Sequence, residues 1–237
     1  MGSSEMTVKL ISMTMPVNDF ANETKCEDAE DLISYCARVS NPDNQTNFDT
    51  ADKLLKYCIR KKHWSIFEMA DVTFEMNCTR SIGRQILRHR SAHFQEFSQR
   101  YAIPKYEDFM FQECRFQDHS NRQSSIEVNT ADPEQTAIRN VWKQKQEELL
   151  QLALDTYKWA IDNNIAKEQA RAVLPEGMTP SVMYMKMTVR DWVMYIALRE
   201  KIETQKEHRL IAQEIKKLLV KQFPFLIEAF GSEEWIV

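Results

Sequence analysis

The sequence predicts an α+β fold, and three patterns carry that expectation. Two segments alternate apolar and polar residues with the period of a strand. Two others repeat apolar residues with the period of a helix. The patterns run in the order helix-helix-strand-helix-strand-helices, not in the regular strand–helix alternation of a parallel sheet. Both strands show one buried face. From Asp71 to Cys78, Val72, Phe74 and Met76 oppose Thr73, Glu75 and Asn77; from Val182 to Val189, Met183, Met185, Met187 and Val189 oppose Tyr184, Lys186 and Thr188.

Residues 27 to 40 place Leu32, Ile33, Cys36 and Ala37 on one helical face, and residues 50 to 62 do the same with Leu54, Leu55, Cys58 and Ile59. After the first strand, Thr79 stands where an N-cap belongs, ahead of a helix through Ile82, Ile86 and Leu87. That passage delivers residues 85 to 100 to the edge of a sheet, a common place for ligand-reading side chains. Residues 117 to 131 lack apolar anchors and read as a surface loop. Asp132 as N-cap and Pro133 at the first helical position open a long helix carrying Ile138, Val141, Trp142, Leu149, Ala153, Tyr157 and Ile161. A shorter helix from Ala166 stops at Leu174-Pro175, Asp191 is the expected cap of the next, and a terminal helix carries Leu210, Ile211, Ile215, Leu218 and Leu219.

With 237 residues, 43% hydrophobic and 28% charged, the chain suits one soluble domain with a full core. Met1–Glu5 reads as a tag remnant, and no apolar run approaches the roughly 20 residues of a bilayer crossing, so the cytoplasm is expected, that of a host if the chain is viral. The five cysteines are odd in number and show no metal-ligand spacing, so they read as reduced thiols. A net charge of −4 repels polyanions overall, so any anion site must come from a local arginine cluster.

Such a cluster exists. Residues 88 to 100 (Arg-His-Arg-Ser-Ala-His-Phe-Gln-Glu-Phe-Ser-Gln-Arg) hold three guanidiniums, two imidazoles, a carboxylate and hydroxyls. Guanidiniums stay charged and bind phosphate bidentately, so Arg88, Arg90 and Arg100 suit a phosphate or pyrophosphate, with Phe94 and Phe97 as walls. The bland reading of an isolated Arg-x-Arg is a solvated helix face. A zinc site from His89, His93 and His63 or Glu96 is disfavoured by the arginines beside the histidines. An RNA-binding strip from Arg88 to Tyr101 is disfavoured by the acidic total and the lack of a second basic patch. His119 and His208 read as surface or helix-end residues.

The cluster resembles the signature of flavin-dependent thymidylate synthases: Arg88-His89-Arg90, seven residues, then Ser98-x-Arg100. His63-Trp64-Ser65-Ile66-Phe67-Glu68, Ala170-Arg171-Ala172-Val173-Leu174-Pro175, Thr188-Val189-Arg190 and Leu198-Arg199 are similar to further family segments in the same order. The resemblance implies an antiparallel sheet flanked by helices in a single domain over 1–237, a homotetramer with shared active sites, and bound FAD. It assigns flavin contacts to Ser65, Arg88, His89, Arg90, Glu96, Thr188, Val189 and Arg190. It assigns deoxyuridylate (dUMP) to Gln85, Ile86, Leu87, Arg88, Glu96, Phe97, Ser98, Gln99, Arg100 and Arg171.

Arg199 would polarise the uracil, His63 would border the flavin, and Ser98 would hydrogen-bond the substrate. NADPH and 5,10-methylenetetrahydrofolate are the implied co-substrates, and neither a metal nor a protein nucleophile is required. No Pro-Cys pair stands in the sequence to serve as in the unrelated classical synthase. The chain departs from the family pattern at His93, Gln95, Met194 and Glu203.

Overall fold

The computed structural model describes residues 6–100 and 105–231, so the readings of Met1–Glu5 and of Tyr101 fall outside the described residues. In chain order the elements begin with β1 (Thr7–Met13), α1 (Asn18–Thr24), α2 (Ala29–Ala37), α3 (Ala51–Arg60), β2 (Asp71–Thr79) and α4 (Arg80–Ile86). They continue with β3 (His93–Glu96), β4 (Arg115–Gln117), β5 (Ser125–Glu127), α5 (Pro133–Asp162) and α6 (Lys167–Ala170). The last are β6 (Pro180–Thr188), α7 (Val189–Arg199), α8 (Lys206–Gln222) and α9 (Ile227–Phe230).

An antiparallel sheet in the order β1-β2-β6-β3 organises the molecule. Its central pair sets Phe74 opposite Met185 and Met76 opposite Met183, so the alternation of both strands points the same way. Val72, Phe74, Met76, Cys78, Met183, Met185 and Met187 are buried on one face. Each large apolar side chain there contributes roughly 1.5–3 kcal/mol by leaving water. The opposite face is polar: Lys9 pairs with Glu75 at 3.2 Å, Tyr184 donates to Glu75 at 2.7 Å, and Lys186 pairs with Asp71 at 2.9 Å.

The apolar face is covered by helices whose stripes supply Ile33, Leu55, Ile59, Trp192, Ile196, Ile211, Ile215 and Leu219. Trp192 locks α7 to the sheet, its ring edge-on to Phe74 and its N–H donating to Val72 O at 3.0 Å. A second apolar cluster joins α5 and α6 through Leu150, Tyr157, Ala170, Leu174 and Met178, with Phe109. On its outer side α5 exposes Ile138, Trp142, Leu149, Leu152 and Trp159.

Several expectations need correcting. β1 precedes the first expected helix; a bulge between Leu10 and Ser12 breaks its alternation and hid it. β3 lies inside the arginine-rich signature, where His-Phe-Gln-Glu has little strand preference and is held by pairing with β6. The surface loop 117–131 contains β5, which pairs with β4 in a short hairpin. Thr79 occupies the N-cap of α4 but makes no cap bond; its hydroxyl meets Ser81 at 2.9 Å. Asp191 is not the cap of α7. Thr188 is, accepting from Asp191 N at 3.1 Å, so Val189 begins the helix and does not end the strand. Asp132 caps α5 as expected, accepting from Glu134 N and Gln135 N. Cys58 is buried, whereas Cys36 is partly exposed.

Candidate active site

Pairing with β6 stretches the signature along the sheet edge and separates its two halves. At one end, His93 opposes Lys186 and Ser91 Oγ lies 3.8 Å from Met187 Sδ, so the turn carrying Arg88, His89 and Arg90 sits beside Thr188. Thr188 also opposes Asp71, which brings in the short helical turn Trp64–Glu68 with Ser65; Glu68 forms an ion pair with Arg190. At the other end, Glu96 opposes Met183 and Phe97 N donates to Val182 O at 2.8 Å. Ser98 and Arg100 follow; Arg100 pairs with Glu168 at 3.4 Å, next to the turn that starts at Arg171. A strand of β3's length separates the two ends by about 10 Å. The structure thus brings Ser65, Arg88, His89, Arg90, Thr188 and Arg190 together at one end, and Glu96, Phe97, Ser98, Arg100 and Arg171 at the other.

Arg88 and Arg90 are exposed, Arg171 is partly exposed, and none of the three guanidiniums meets a carboxylate or other partner among the described residues. Glu96 is held by the Ser181 hydroxyl at 2.8 Å and by Arg80 at 3.6 Å, both on its inward side. Gly83 packs beside this carboxylate; a Cβ there would stand 3.7 Å from Glu96 Oε1, an ordinary contact. Ser98 Oγ accepts from Arg100 N at 3.4 Å. Four residues assigned to ligands turn inward. Ile86 and Val189 bury their side chains in the core, where Leu87 also packs, and Val189 N donates to Ala70 O. Gln99 is buried, and its amide nitrogen has no partner among the described residues. Phe94, expected as a wall, packs on the core because strand alternation points it with Met185; Phe97 is exposed. His63 is exposed and edge-on to Tyr57.

Arg199, at the C-terminus of α7, reaches back to the signature: its Nε donates to His89 Nε2 at 2.9 Å. His89 must therefore keep Nε2 bare, and burial together with the Arg199 charge lowers its pKa to about 4. The His89 ring lies edge-on to Tyr195, 4.7 Å between centroids, and the Tyr195 hydroxyl meets His208 at 3.0 Å. His208 corrects an expectation. It is fully buried and is no surface residue; with Ile211, Ala212, Ile215 and Leu219 it continues the apolar stripe of α8 by one turn.

Comparison with known proteins shows the family. Residues 22–225 match the family described as thymidylate synthase complementing protein. The chain is 48% identical, over 98% of its length and all of the relative's, to a probable flavin-dependent thymidylate synthase of Paramecium bursaria Chlorella virus 1. It is 43% identical, over 97% of its length and all of the relative's, to the flavin-dependent thymidylate synthase of Synechocystis. The chain belongs to the flavin-dependent thymidylate synthase family. The fold agrees as well: a UMP/dUMP methylase of Streptomyces cacaoi bound with 5-Br dUMP superposes with a TM-score of 0.76 at 24% identity, covering 98% of this chain and 97% of that one.

For a member of this family the donor set suits a flavin dinucleotide. Arg88 and Arg90 offer exposed guanidiniums, unpaired among the described residues, for a pyrophosphate beside the turn at Thr188. Burial raises the Cys26 thiol to about 11 and the Cys78 thiol to about 12, so these two remain protonated at neutral pH.

Proposed function

We propose that this chain converts dUMP to thymidylate with the signature strand as a two-ended clamp, the flavin at the Arg88–Arg90 end and the nucleotide at the Glu96–Arg100 end. Bound FAD, reduced by NADPH, would supply the hydride that turns the methylene unit given by 5,10-methylenetetrahydrofolate into the methyl group. One observation carries the reading: three guanidiniums without anions of their own among the described residues, Arg88 and Arg90 at one end of β3 and Arg171 at the other, with Arg199 tied to His89.

Arg171 and Arg100 hold the phosphate of the nucleotide, and Ser98 and Gln85 hydrogen-bond it. Arg199 presents a permanent cation to the uracil. Negative charge that develops on the ring is stabilised by a group that needs no proton transfer. His89, uncharged, accepts the Arg199 Nε–H and so aims its remaining N–H groups outward. Ser65, Thr188 and Arg190 complete the flavin end, and exposed His63 borders it.

One feature supports a homotetramer with shared sites. The exposed residues Ile138, Trp142, Leu149, Leu152 and Trp159 recur with near-heptad spacing along α5, an apolar seam suited to burial against another copy. No helix among the described residues is long and apolar enough to cross a membrane, and we place the reaction in the cytoplasm, that of a host if the chain is viral.

Purified protein with all four components should form thymidylate, and omission of FAD, NADPH or methylenetetrahydrofolate should abolish it. Thymidylate formation that persists without added or bound flavin would refute the assignment.

A further inference from the structure

His208 is fully buried, and no step above uses it, yet both of its ring nitrogens are engaged. Nε2 lies 3.0 Å from Tyr195 Oη, and Nδ1 lies 3.3 Å from Gln85 Oε1. The Gln85 amide nitrogen donates to Gln205 Oε1 at 2.7 Å, which leaves its oxygen as the atom facing the ring. An amide oxygen only accepts, so Nδ1 carries the proton and Nε2 accepts from the phenol. Burial, with Arg199 and then His89, lowers the His208 pKa to about 3, consistent with an uncharged ring. The chain of donors continues from Gln205 Nε2 to Glu207 at 2.9 Å, and Arg115 grips both oxygens of Glu207 at 2.6 and 2.8 Å. Every donor from Tyr195 to Gln205 points the same way, and the chain links α7, α8 and α4. A free glutamine amide turns over at little cost, but this one would set NH2 against the His208 N–H and oxygen against the Gln205 oxygen.

We propose that His208 is a positioning residue for nucleotide recognition: its ring fixes the Gln85 amide so that the second Nε2 proton is offered to an acceptor oxygen of the pyrimidine nucleotide. This rests on the reading of Gln85 as a dUMP contact. It adds a buried residue that touches neither substrate nor flavin.

The test uses the flavin-loaded enzyme and separates KM for dUMP from kcat. His208→Asn puts an amide near the Nδ1 position and keeps a donor for Gln85. His208→Gln reaches only toward Tyr195 and loses that donor. KM should rise on the order of tenfold in His208→Gln and stay within about threefold of wild type in His208→Asn, with kcat and flavin content little changed in either. Gln85→Leu should raise KM as much, and adding His208→Gln to it should raise KM no further. Gln85→Glu, which still accepts from His208 but cannot donate, serves if the His208 variants do not fold, and its KM should rise too. Equal KM values in His208→Gln and His208→Asn, additive increases in the double variant, or an unchanged KM in Gln85→Glu would overturn the proposal. A wild-type protein that forms no thymidylate at all would instead overturn the enzymatic reading, and this inference with it.

Discussion

Arg199 shows how a single side chain is prepared for its task. Its Nε is committed to His89, which orients the planar guanidinium and leaves the terminal nitrogens for substrate. Arg199→Ala should keep flavin binding, because Arg88 and Arg90 remain, yet lower kcat by roughly 10²–10³-fold, the scale of losing one preorganised donor. Steady-state kinetics beside the flavin absorbance checks this, and full turnover in the variant would remove Arg199 from the chemistry.

The same residues predict a pH response. His89 and His208 are depressed in the folded protein to about 4 and about 3, while unfolded histidine titrates near 6.5. Below pH ~6.5 the unfolded chain binds protons that the folded one refuses, so their contribution to stability is intact above that value and lost as pH falls. The loss reaches ~2–3 kcal/mol per ring by pH ~4.5. Glu30 acts in the opposite sense. Burial, with Asp28, Asp52 and Asp31 nearby, raises it to about 7, so its ionised form weakens the fold at higher pH. Thermal melts should therefore show stability falling from pH 6.5 to 4.5, and Glu30→Gln should melt above wild type at pH 8. A Glu30→Gln melt at or below wild type there would contradict the assignment.

At the scale of elements, capping and pairing decide what holds the site. Thr188 both ends β6 and caps α7, so Thr188→Ala should cost about 1 kcal/mol of stability, measurable by denaturant unfolding. β2 and β6 were legible in the sequence because a strand buried on one face must alternate, and Val72-Phe74-Met76 and Met183-Met185-Met187 do so without a break. β3 was not, since its strand state comes from partners roughly ninety residues away and its own residues favour no ladder. His208 was missed for another reason. A stripe that begins at Leu210 begins on an exposed residue, whereas the spacing 208, 211, 212, 215 and 219 fits one helical face if a histidine is admitted to it. A buried polar residue breaks the hydrophobic pattern while obeying its period. Its partners, Tyr195 and Gln85, come from other helices and leave no local trace.

At the scale of the whole molecule, the arginines that matter stand far apart in sequence, and only folding brings Arg199 to His89. Family resemblance supplied that grouping ahead of the geometry; periodicity and spacing did not. The apolar seam on α5 carries the expectation of assembly. Leu152→Glu, at a position 66% exposed in the single chain, should leave the fold intact but lower the sedimentation coefficient, and activity should fall with it if sites are shared. An unchanged assembly would place the interface elsewhere.

The most direct test of the clamp is a crystal structure of the protein with FAD and dUMP together. The account predicts the flavin pyrophosphate against Arg88 and Arg90, the nucleotide phosphate against Arg100 and Arg171, and the uracil within reach of Arg199. Either ligand seated away from residues 88 to 100 would contradict it.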